Sequence, residues 1–184
     1  GNSPAPGSGT WTTSSSAIIA NPTNPSSAVS GLNTAGTYTF IWTITNGACV
    51  SRDTMSITVS NNVIANAGPD QNLCNVTTAT LAGNAAAPGT GLWTSTTGGV
   101  ITANSNPNSG VTGLIIGTNT FIWTITNGAC VSHDTVNIIV STLIPANAGP
   151  DQQLCLGNAL VLAGNTPASG TGTWTALNGG TFSN

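Results

Sequence analysis

The chain contains nearly the same peptide twice. Gly36–Thr54, GTYTFIWTITNGACVSRDT, returns at Gly117–Thr135 as GTNTFIWTITNGACVSHDT, with changes only at Tyr38/Asn119 and Arg52/His133. Ala65–Cys74, ANAGPDQNLC, returns at Ala146–Cys155 as ANAGPDQQLC. Cys49 recurs as Cys130 and Cys74 as Cys155, an offset of 81 in both cases. Trp11 recurs at Trp93 with an offset of 82, so the first copy has one extra residue between Trp11 and Gly36. Solenoid repeats run from roughly 20 to 50 residues, and none buries a face alone. A unit of this length suits a small domain with its own core.

Within the unit the hydrophobic pattern has period two. Phe121, Trp123 and Ile125 alternate with Thr120, Thr124 and Thr126, which predicts a strand with one buried face. Asn127-Gly128 follows at once, a strong hairpin signal because both turn residues need positive φ. Val136, Ile138 and Val140 alternate along the expected return strand. Ala79 and Leu81, the segment opening at Trp93, Val100-Ile101 and Val111–Leu114 predict further short strands. No long segment has helical period, and Gly, Pro and Asn interrupt the chain at the spacing of a sandwich. The expected fold is therefore all-β: tandem immunoglobulin-like sandwiches of Greek-key topology, stacked end to end. The units run 1–60 (lacking its first strands), 63–142 (complete) and 143–184 (the start of a third). Gly1–Asn21 aligns without a gap on Gly164–Asn184, as expected for a segment of a longer array.

Composition narrows the chemistry. Only 3% of residues are charged: Arg52 is the one cation, and Asp53, Asp70, Asp134 and Asp151 are the acids. An average domain carries about a quarter. Thr, Ser and Asn supply the polar surface instead. The absence of a basic patch argues against nucleic acid, where phosphates must be neutralised. No apolar run reaches the roughly 18 residues of a membrane span. Asp70 and Asp134 are far apart in sequence, and His133 and Asp134, being adjacent on a strand, point to opposite faces. The other copy has Arg52 where His133 stands, so no imidazole is required there. The expectation is a chain with no catalytic residues, no cofactor and no metal. Trp42, Trp93 and Trp123 alternate with polar residues and are expected in the core rather than on a carbohydrate platform.

Each complete unit has two cysteines and no CxxC, and with a single histidine the chain lacks a zinc ligand set. Disulfides in an oxidising compartment are expected. Pairing Cys74 with Cys130 inside the unit would close a long loop and stabilise by about 4 kcal/mol on the chain-entropy model. The alternative joins Cys74 to the hairpin of the next unit, because in an immunoglobulin-like register the two cysteines fall at opposite poles. Cys49 and Cys155 are expected to pair outside this chain.

ANAGPDQ, GTGTWT at Gly170–Thr175, TFIWTITNG and DTVNIIV, taken in order, resemble the PKD-like repeats of giant Bacteroidota cell-surface proteins. These include gliding-motility-associated adhesins exported by type IX secretion. The resemblance implies an extracellular, cell-surface location. The acidic loop WDFGDG of polycystin-type PKD domains is absent; Thr94-Ser95-Thr96 follows Trp93. Asp53-Thr54-Met55 and Asp134-Thr135-Val136 are similar to the Bacteroidota O-glycosylation signal, making Thr54 and Thr135 candidate glycan carriers. The preferred role is the shaft of a large secreted adhesin or extracellular filament, with neighbouring identical modules or chains as partners. Two other roles are a glycan-binding module acting by avidity on surface glycans and an accessory array in a secreted polysaccharide hydrolase.

Overall fold

The computed structural model describes residues 1–179 and 181–182; Gly180, Ser183 and Asn184, at the end of the expected third unit, lie outside the described residues. Among the described residues there are twelve strands and no helix. They fall into two sets with separate cores.

The first set comprises β1 (Ser8–Thr13), β2 (Ile18–Ile19), β3 (Val29–Ser30), β4 (Gly36–Asn46) and β5 (Cys49–Val59). One sheet has the order β1-β4-β5, and β2 pairs with β3 in a second. The second set comprises β6 (Gln71–Cys74), β7 (Thr78–Thr80), β8 (Thr90–Thr97), β9 (Val100–Ile101), β10 (Gly110–Thr112), β11 (Gly117–Asn127) and β12 (Cys130–Ser141). Its main sheet has the order β6-β12-β11-β8 and its smaller sheet β7-β10-β9. All pairings are antiparallel except β6 with β12, which run parallel.

The hairpin forms one residue later than expected: Asn127 stays in the strand and pairs with Cys130 across Gly128-Ala129, and of the expected Asn-Gly pair only Gly128 takes positive φ, +59°. The register then holds without a break to Gly117↔Val140. The alternation sorts the side chains: Phe121, Trp123, Ile125, Val136, Ile138 and Val140 are all buried, and Val111 from the smaller sheet and Leu114 just beyond it join them in the core. Leu81, Ala65 and Ala67 complete this core although they lie outside the strands.

Two polar devices fix its corners. Asn119, fully buried, satisfies itself with four bonds: Ile115 N donates to its Oδ1 at 3.0 Å, and its Nδ2 donates to the carbonyls of Ile115, Gly117 and Ile138. Tyr38 takes this position in the first set, where its hydroxyl accepts from Thr34 N and donates to Thr34 O. Both tie the start of the long strand to a backbone group four residues upstream, as a tyrosine corner does. One of the two differences between the repeated peptides is thus a swap between equivalent clasps.

The sets differ in completeness. β12 is flanked on both sides, whereas its counterpart β5 is a sheet edge. Met55 is 46% exposed where the matching Val136 is 1% exposed. The chain from Ala146 onward repeats the sequence that covers the second set, yet in the described residues it forms no strand, and Leu162 is 42% exposed against 1% for Leu81.

Candidate functional site

The residues singled out above collect at the ends of the strand sets and along β5 and β12. At the joint between the sets, the hairpin end Asn127-Gly128 lies against the linker Ser60-Asn61. Asn127 Nδ2 donates to Asn61 O at 2.9 Å, and Cys130 Sγ lies 3.7 Å from Ser60 O. A methyl group on Gly128 would meet Ser60 Oγ, and would lie 3.2 Å from Ser60 Cβ. Gly47, in the same turn of the first set, has nothing within 4 Å.

All four cysteines are free thiols in this structure. The expected Cys74–Cys130 pairing within one unit does not fit it. Cys130 is the first residue of β12, and Cys74 stands beside Ser141, the last. Eleven strand residues separate those positions by roughly 36 Å, whereas a disulfide spans Cα atoms no more than about 7 Å apart. The parallel docking of β6 against the far end of β12 is what places them at opposite poles.

Along β12, His133 is exposed and Asp134 half-buried, on opposite faces as adjacent strand residues must be. The Asp134 carboxylate is structural, since its Oδ2 accepts from Ala67 N at 2.8 Å. Asp70 does likewise. Its turn suggested a local cap, but Oδ1 accepts from Asn137 N at 2.8 Å, across the parallel edge. With Ala65 N donating to Ser132 Oγ at 3.0 Å, these bonds strap residues 65–70 onto β12. Sequence reading missed the strap because its partners are 67 residues apart. Its one legible signal was the recurrence of an Asp in each repeated peptide.

Thr54 and Thr135 are exposed. They stand inside β5 and β12 rather than at the strand starts that the sequence suggested. Trp42, Trp93 and Trp123 are 4%, 1% and 0% exposed. Trp93 and Trp123 pack as a tilted pair with centroids 5.0 Å apart; Trp11 and Trp42 repeat the pair at 5.1 Å. Trp93 Nε1 donates to Pro107 O and Trp123 Nε1 to Asn84 Oδ1, so these rings are inward-facing and satisfied. They offer no stacking face to a sugar. Trp42 Nε1, by contrast, is buried without a partner. Among the described residues no three His, Cys, Asp or Glu side chains converge as a metal site would require.

The first set has an apolar cleft of about 250 Å³ lined by Trp11, Ile19, Ser27, Val29, Phe40, Met55 and Ile57. The matching positions of the second set pack around Leu81.

No family model matches the chain, and no curated protein does. Among solved structures it is similar to the PKD domain from the KIAA 1837 protein: 28% identity over 52% of this chain and 99% of that one, with a TM-score of 0.39. It is also similar to parts of two endo-fucoidan hydrolases of glycoside hydrolase family 107. For MfFcnA4 the identity is 19% over 74% of this chain, TM-score 0.32; for MfFcnA9 it is 16% over 71%, TM-score 0.27. The chain spans about a quarter of the length of those hydrolases, 24% and 27%.

Proposed function

We propose that the chain is a structural repeat, part of the shaft of a large secreted bacterial surface adhesin or extracellular filament, exported by a type IX route. On this reading each unit of about 81 residues is a PKD-like, Greek-key sandwich. The chain holds a unit at 1–60 that lacks its first strands, a complete one at 63–142 and the start of a third at 143–184. It supplies reach and rigidity and carries no catalytic site.

The observation that carries this reading is the docked joint. The hairpin of the second set holds the linker through Asn61 O and packs a glycine turn against Ser60, which restrains the bend between sets. A string of freely jointed beads would not need such a clasp. Burial of Trp42, Trp93 and Trp123 takes these three rings away from the glycan-binding alternative, whereas Trp174 is 45% exposed. Exposed Thr54 and Thr135 remain candidate glycan carriers, which would hydrate a surface short of charge.

Small-angle scattering tests the claim. Two sets joined end to end span roughly 80 Å at strand spacing, and a rod of that length gives a sharp maximum dimension. A broad distribution with a much shorter mean would refute the shaft. Filaments in native material that repeat at about half that spacing would extend the result to the assembled state.

A further inference from the structure

Asn127 and Gly128 place a reactive pair of groups at the joint. Glycine has no Cβ to shield its backbone nitrogen, and here that nitrogen follows a side-chain amide. When it reaches the Cγ of the preceding asparagine, a five-membered ring closes and the amide is lost. The two-residue turn leaves Gly128 N outside the ladder that joins Asn127 to Cys130. Gly128 is exposed, so water reaches the turn. The clasp opposes the reaction. Asn127 is half-buried, and its Nδ2 donates to Asn61 O at 2.9 Å, which holds the amide on the linker.

The molecule carries its own reference. Thr43–Ser51 and Thr124–Ser132 have the same sequence, TITNGACVS, in the same hairpin register. Asn46 is exposed, and Gly47 after it has nothing within 4 Å. Two chemically identical sites therefore differ only in what the fold lays against them.

We propose that Asn127 is a spontaneous modification site, protected while the joint is closed, whose conversion to aspartate or isoaspartate leaves the joint open. The inference rests on the docked joint of the shaft reading and gives that joint a chemical lifetime. Gly128 N attacks Cγ of Asn127 as its proton passes to a solvent base. The N–Cγ bond forms, the Cγ–Nδ2 bond breaks, and the amide nitrogen leaves as ammonia with a proton from solvent. Water then opens the cyclic imide. Cleavage at Cγ gives aspartate, and cleavage at the main-chain carbonyl gives isoaspartate. One water enters, one ammonia leaves, and nothing is oxidised or reduced.

Neither product rebuilds the clasp. An ionised carboxylate has no N–H to give Asn61 O, and two facing acceptors repel. The chain's one cation, Arg52, stands opposite Thr43, towards the end of β5 away from the linker, so it does not neutralise the new charge at the joint. Isoaspartate also inserts a methylene into the main chain where Asn127 pairs with Cys130, which spoils the match of the ladder there. Because the clasp must release before the ring closes, the rate at Asn127 follows the fraction of time the joint is open.

The test incubates the full 184-residue chain in mildly alkaline buffer and samples it over days. Trypsin, applied after denaturation, cuts only after Arg52, so Asn46 and Asn127 fall in different peptides and fragmentation assigns each conversion. Asn127 should convert about threefold to tenfold more slowly than Asn46, the restraint of one hydrogen bond. In denaturant the two rates should coincide, because the local sequences are identical. Chain converted at Asn46 alone should scatter X-rays as the parent does. The Asn127→Asp variant, and chain converted at Asn127 and isolated by anion exchange, should show a shorter mean length and a wider distribution. Equal rates in the folded chain, a difference that survives denaturant, or an Asn127→Asp chain that scatters like a rod-shaped parent would each overturn the inference and leave the shaft standing. A parent chain that itself scatters broadly refutes the shaft, and the opening of its joint by conversion falls with it.

Discussion

The turns Gly47-Ala48 and Gly128-Ala129 are the same peptide in the same hairpin, with glycine φ of +60° and +59°. They differ in what they touch. Substituting alanine at either site forces a non-glycine residue into the left-handed region, costing about 1–2 kcal/mol. At Gly47 nothing more is expected, because the position is open. At Gly128 the new methyl would run into Ser60. The hairpin must then withdraw from the linker, losing the bond from Asn127 Nδ2 to Asn61 O, worth about 0.5–1.5 kcal/mol. The joint is therefore expected to open roughly threefold to tenfold more often in Gly128→Ala than in Gly47→Ala. Scattering should show a lower mean end-to-end distance and a wider distribution for Gly128→Ala alone. If the two variants give the same scattering, the turn does not hold the joint and the rigid shaft loses its physical basis.

Trp93→Ala should destabilise the second set by about 3–5 kcal/mol, read by urea unfolding, because it empties a core site beside Trp123. A variant that stayed fully stable while losing glycan binding would instead revive the carbohydrate platform. Asn119→Leu should cost about 2–4 kcal/mol by stranding Ile115 N and the carbonyls it now serves, and a change below about 0.5 kcal/mol would show the clasp to be idle. Oxidising a Cys49→Ser/Cys155→Ser double variant should produce no Cys74–Cys130 bond within a chain, checked by intact mass under dilute conditions; finding that bond would contradict the register of β6 on β12.

What the amino-acid sequence determined by itself is local and periodic. Alternation along Phe121–Ile125 and Val136–Val140 dictates which face is buried, because successive strand residues point to opposite sides. The glycine at Gly47 and Gly128 marks the hairpin, because its positive φ is a conformation other residues adopt at a cost. The near-identity of two peptides dictates that whatever one copy does, the other can do. The tertiary structure alone decided which distant backbones meet. The parallel placement of β6 on the last residues of β12 sent Cys74 to the pole opposite Cys130. It also turned Asp70 and Asp134 from local turn and strand residues into two of the three ties of a strap. No window of sequence encodes that choice, since it depends on which edge of a twisted sheet remains free once the hairpin has formed. The open cleft of the first set is of the same kind: its residues read as an ordinary core, and only the fold shows which of them stay open.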